Sequence, residues 1–323
     1  MEIQSQESQL LPPHQAARFN KKVVLKAFIL LIVFIAGFGG GFFTGRKSIQ
    51  MEAAKAKLDS KNKIDELAAQ VNPPDGYQIP ATFGNVGVQV VAAGGIDMAK
   101  FSDLYKQAGR PLSEQQLAIL TTGSNEKIVI NQDNAQFLLN FFWAVGLTNQ
   151  NKVLTEGLMV ENSRGNIGNY ASTGGWTLGA KAATDLYASA LLIPLTAEQQ
   201  KLLVEVASAV YRPCCDNPTH FPDCNHGMAM LGLLELMASQ NASADEMFEA
   251  AKYVNAFWFP QQMMETAVYL NATQNVDFIH AAARQVVGQA IFSGSGFQAV
   301  HQWLSDNGLL QQSPGGGGSC GIQ

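Results

Sequence analysis

The sequence predicts an all-α protein: an irregular multi-helix bundle behind one N-terminal transmembrane helix and a helical stalk. Three observations carry that expectation. The run "AFILLIVFIAGFGGGFFT", Ala27 to Thr44, holds no charged residue; extended back through Val23, it approaches the ~20 apolar residues that cross a bilayer core. Residues 46–71, "RKSIQMEAAKAKLDSKNKIDELAAQV", are rich in Ala, Lys, Glu and Leu and lack Gly and Pro, the composition of a helix by propensity. Further on, Thr196 with Gln199 and Ser243 with Glu246 have the spacing of capping boxes ahead of apolar runs.

Taken in order, residues 1–22 are polar, contain Pro12 and Pro13, and read as a disordered cytoplasmic tail. Residues 23–45 form the anchor. A cleaved signal peptide fits less well, because the apolar run is long, a 22-residue tail precedes it and no A-x-A site follows. Four Lys/Arg precede Ala27, the last being Lys26, and six follow Thr44 within twenty residues, so the positive-inside rule leaves orientation open. Large C-terminal domains translocate largely regardless of charge, which favours an extracytoplasmic domain at the cell membrane. Gly37, Gly41 and Gly45 share one helix face, where small residues allow a homodimer contact.

The stalk ends in "NPPDGYQIPATFG", 72–84, whose prolines and glycines read as a linker. The domain proper, 85–312, is expected to hold eight to ten helices, with Val86 to Val91 as its only candidate extended segment. "AQFLLNFFWAVGL", within Asn134 to Leu147, is apolar nearly all round and belongs at the centre. A Gly/Ser/Asn-rich loop spans 161–179, and one helix is expected over Val276 to Phe292. A Gly-rich tail, 313–323, carries Cys320.

Residues 67–323 hold 11 Lys/Arg against 20 Asp/Glu, a net of −9. With no basic patch, nucleic acid is not expected as a partner. C-x-x-C-H, H-E-x-x-H and G-x-S-x-G are all absent, so nothing points to an enzyme.

The chemistry concentrates in "YRPCCDNPTHFPDCNHGMAM", 211–230, which holds three of the four cysteines and two of the five histidines. Cys214 to Cys224 connect two helices, and Asn225 is the expected cap of the second. Thiolate and imidazole donors suit copper or zinc. The ligand set is Cys214, Cys215, Cys224 and His226, with Cys320 as a mobile fifth donor, serving capture, storage or handover of the ion. The C-C-x8-C-x-H spacing matches no common zinc finger. Asp216 and Asp223 are candidate partners for His226. Met228 and Met230 read as packing, and His220, His280 and His301 as solvent-side or satisfied helix residues.

Two other readings use the same atoms. Outside the cytoplasm, one of Cys214 and Cys215 can pair with Cys224 and the other with Cys320, giving a disulfide-stapled scaffold with the 161–179 loop as its contact surface. Alternatively, Cys224 beside His226 is a reactive thiol that Cys320 resolves.

Overall fold

The computed structural model describes residues 62–310, which apart from Asn62 belong to the second of the chain's two units, Lys63–Gln323. The tail, the anchor with Gly37, Gly41 and Gly45, most of the stalk, and Cys320 lie outside the described residues. Among the described residues no helix is long and apolar enough to cross a membrane.

The domain is mostly helical, as expected, with a small sheet the sequence reading missed. Helix α1 covers 62–71 and buries Leu67 and Val71, one turn apart, so the end of the stalk packs on the body. The segment read as a linker contains strand β1 (Tyr77–Gly84). Ile79, Ala81 and Phe83 point inward at period two, and Pro80 is tolerated because each strand of a two-stranded sheet is an edge. Val86 to Val91, the candidate extended segment, is instead helix α2 (Val86–Ala92), followed by α3 (Met98–Gln107) and α4 (Glu114–Thr121). Strand β2 (Ser124–Ile130) then returns antiparallel to β1, with irregular register, and buries Ile128 and Ile130.

Helix α5 (Ala135–Thr148) is buried along nearly its whole length. Four short helices follow: α6 (Lys152–Thr155), α7 (Leu158–Ser163), α8 (Ala171–Gly174) and α9 (Ala183–Leu186). The 161–179 loop is thus largely broken into helical turns, and its Trp176 is an inward anchor. The indole N–H donates to the Gly95 carbonyl at 2.8 Å, and the ring meets Trp143 edge-on at 5.0 Å.

Both capping boxes form, at the starts of α10 (Ala197–Ala209) and α12 (Ala244–Trp258). Between them lies α11 (Asn225–Ser239), and after them α13 (Pro260–Gln274). The single helix expected over 276–292 is instead a 3-10 turn at Phe278–His280, α14 (Ala283–Val286) and α15 (Gln289–Phe292). Phe278 explains the break: its carbonyl accepts from the buried Lys252 ammonium at 3.3 Å, and that cation lies 5.0 Å from its ring centroid. Helix α16 (Gly294–Asp306) ends the described domain. The single-turn pieces take the helices beyond the eight to ten expected.

Helices α5 and α11 cross with their backbones touching. A Cβ on Gly232 would lie 2.6 Å from the Phe142 carbonyl oxygen, and one on Gly146 would overlap the Met228 carbonyl oxygen. Glycine is required at both positions for this approach. The crossing fixes the first turns of α11, and with them the cluster of sulfur and imidazole at its start.

Candidate metal centre

The stretch between α10 and α11 is tied down before it presents any donor. Thr219 N–H donates to the Val210 carbonyl at 2.8 Å and His220 N–H to the Ala207 carbonyl at 2.9 Å, folding the loop back on the last turn of α10. Gly294 N–H donates to the Cys215 carbonyl at 2.8 Å. Asp216 accepts from both the backbone N–H and the hydroxyl of Ser295, each at 2.7 Å. The hydrogen bonds from Ser295 hold the Asp216 carboxyl below its ordinary value.

Arg212 organises the interior of the loop. Its side chain is 3% exposed. Nε donates to Cys224 Sγ at 2.9 Å, and the two terminal nitrogens reach the Asn217 carbonyl at 2.9 Å, the Phe221 carbonyl at 3.1 Å and Asp223 Oδ1 at 2.5 Å. Asn217 Nδ2 holds the other Asp223 oxygen at 2.9 Å. Gly227 makes room for this group, since a Cβ there would lie 2.5 Å from Cζ of Arg212. Burial alone would lower the arginine's proton affinity, but the sulfurs of Cys224, Cys215 and Cys214 and the Asp223 carboxylate outweigh it and fix the positive charge.

Cys224, not Asn225, is the N-cap of α11, with its sulfur accepting from Gly227 N–H at 3.5 Å. Asn225 is the first helical residue, and its side-chain oxygen accepts from His226 N–H. The Cys224 thiol is pulled well below its ordinary value by hydrogen bonds with Cys214 and Cys215, by the Arg212 charge and by His226, against the opposing effect of burial. Cys215 goes the other way, up to about 11. Its hydrogen bond with Cys214 favours the thiolate, but its hydrogen bond with Cys224 and its burial prevail. The surroundings thus favour the thiolate at Cys224 and the thiol at Cys215.

The donors fall into two triads that share Cys224. The ligand atoms of Cys214, Cys224 and His226 all lie within 4.8 Å of one another, as do those of Cys215, Asp223 and Cys224. The second triad already has a cation, because Arg212 bonds Asp223 and Cys224 directly. The first faces outward through Cys214, which is exposed. Cys214 Sγ lies 3.6 Å from Cys224 Sγ, and His226 is buried with its ring 4.4 Å from that of Phe259.

The expected ligands Cys214, Cys215, Cys224 and His226 lie together as a cluster, with Cys215 meeting Cys224 through the triad that also holds Asp223. The two aspartates expected beside His226 have partners of their own: Asp223 holds Arg212 and Asn217, and Asp216 holds Ser295. Met228 and Met230 are buried in the core. His301 Nδ1 pairs with Glu265 at 2.7 Å, and burial lowers the proton affinity of His220. A lone arginine beside two cysteines, in a domain poor in cations, was the available signal for Arg212.

No protein-family model matches the chain, nor does any curated protein or solved structure.

Proposed function

We propose that the domain binds a thiophilic divalent metal ion, zinc in preference to copper, through Cys214, Cys224 and His226, and that it captures the ion for handover. The observation that carries this reading is the sulfur separation. Two thiolates on a tetrahedral zinc, with bonds of about 2.3 Å, stand about 3.8 Å apart, against 3.6 Å between Cys214 and Cys224. Charge supports a divalent ion. With Cys214 and Cys224 as thiolates and Asp223 ionised, Arg212 leaves a surplus of two negative charges, which one divalent cation neutralises. Copper(I) would leave a negative charge in a half-buried site.

The uncharged run from Ala27 to Thr44 supports placing this domain beside a membrane. Cys320, on its Gly-rich tail, is proposed as a donor that completes the coordination shell or carries the ion away.

Elemental analysis of the full-length chain, purified anaerobically without added metal and with free thiols counted on the same sample, tests the reading. Near-stoichiometric zinc that is lost in Cys224→Ser is the expected result. No metal with every thiol free would refute it, and no metal with no free thiol would establish the disulfide-stapled scaffold instead.

A further inference from the structure

Three features of the loop bear on a property beyond metal binding. Cys214 and Cys224 stand ten residues apart with sulfurs 3.6 Å apart, about 1.5 Å more than a disulfide bond requires. They differ in access, Cys214 being exposed while Cys224 is held behind it by Arg212 and the first turn of α11. Cys215 also hydrogen-bonds Cys214 and Cys224, but its backbone carbonyl is held by Gly294 and its sulfur turns to the Asn217 carbonyl at 4.0 Å and Asp223 at 3.8 Å.

We propose that Cys214 and Cys224 are also a redox pair, and that their disulfide and the metal ion exclude each other, so that oxidation by a small-molecule disulfide discharges the site. This rests on the reading of Cys214, Cys224 and His226 as the ligand set. In the first step the exposed Cys214 thiolate attacks a low-molecular-weight disulfide. Its S–S bond breaks, one thiolate leaves, and a mixed disulfide forms on Cys214. In the second step the Cys224 thiolate, on the inner side of Cys214, attacks the Cys214 sulfur and expels the remaining small thiolate. Two protein thiolates lose two electrons in all, and one small disulfide becomes two thiolates. The product keeps only His226 from the triad, and a single imidazole does not retain the ion. While the ion is bound it occupies both sulfurs, so loading slows the first step in proportion to site occupancy.

The test uses the full-length chain, zinc and oxidised glutathione as the small disulfide. Metal-free protein is exposed to glutathione disulfide and its cysteine linkages are mapped by mass spectrometry. Zinc-loaded protein is treated in parallel, and bound zinc is followed by elemental analysis. The expected results are a Cys214–Cys224 linkage, slower oxidation of the loaded protein, fall of bound zinc from near one per chain to near zero on oxidation, and recovery after thiol reduction. Cys215→Ser should still form the Cys214–Cys224 linkage and still lose its zinc on oxidation, and Cys214→Ser should form no such linkage while keeping its helical content. Zinc that stays bound through oxidation, or a linkage through Cys215, would overturn the proposal while leaving the metal site standing. A Cys214–Cys224 linkage that forms equally with and without zinc, in a chain that binds none, would overturn both it and the metal reading.

Discussion

Replacing Arg212 with Met removes every donor of the guanidinium while keeping much of its stem volume. Two of the lost bonds, to Asp223 and Cys224, are charge-assisted and contribute about 1.5–3 kcal/mol each, and the two to the carbonyls of Asn217 and Phe221 contribute about 1 kcal/mol each. The raw sum overstates the loss, because Asp223 is 23% exposed and water will solvate it once the cation is gone. Breaking one side of a buried ion pair costs about 3–5 kcal/mol, and that range is expected for Arg212→Met. Urea unfolding of the metal-free, reduced chain should show a lower midpoint with an unchanged slope. Arg212→Lys should fall between parent and Met, since one ammonium cannot serve four acceptors held in a planar fork. Alkylation kinetics supply an independent reading: without the guanidinium, the pH at which Cys224 becomes reactive should rise. A loss below about 1 kcal/mol with unchanged Cys224 reactivity would refute the view that Arg212 organises the loop.

Other consequences are open to similar measurement. Gly232→Ala gains up to about 1 kcal/mol of helix propensity but must separate α11 from the Phe142 carbonyl; a net loss of about 1–3 kcal/mol is expected, and a neutral melting temperature would mean the crossing is looser than described. Burial holds the Glu235 carboxyl well above its ordinary value of 4.5, against the opposing hydrogen bond from Asn149. The folded chain then keeps a proton that the unfolded chain releases, so this contribution to stability is complete below the unfolded carboxyl's range and falls by up to ~1.4 kcal/mol per pH unit above it. Glu235→Gln should flatten that slope in unfolding series run at stepped pH. His226→Phe retains a ring against Phe259 but removes the nitrogen donor and its hydrogen bond to Cys224, so zinc stoichiometry should fall and metal-free stability should drop by about 1.5–3 kcal/mol. Chelation should strip the ion from the native chain without lowering its helical circular dichroism.

What the sequence disclosed follows the range of the interactions involved. Helix starts at Thr196 and Ser243 were legible because a capping box is a contact between residues three apart. The burial of α5 was legible because its residues are apolar on every face. The strand at Tyr77–Gly84 was hidden by the prolines and glycine of "NPPDGYQIPATFG", although the inward alternation of Ile79, Ala81 and Phe83 was there to be read. The break at Phe278 depends on Lys252, 26 residues earlier, and no local pattern encodes that. At the site, residue type alone named Cys214, Cys224 and His226. The commitment of Asp223 to Arg212 did not follow from type, because it depends on where one buried guanidinium comes to rest.

That guanidinium also bears on the kind of metal site proposed for the loop. A structural zinc site is closed by four ligands and contributes directly to folding. Here the proposed triad offers three donors, one of them exposed, and Cys224 already accepts from Arg212 and from the first turn of α11. Both neighbours bring positive charge or dipole to the sulfur, stabilising the thiolate without the ion and weakening its pull on the ion when bound. The fold does not need the metal to hold the loop, because Arg212, the Asp216–Ser295 contact and the Gly146–Gly232 crossing do so already. A preorganised thiolate with a competing cation at its back and an exposed partner in front is suited to taking an ion and releasing it. The same arrangement leaves the two sulfurs close enough to bond each other once it has gone.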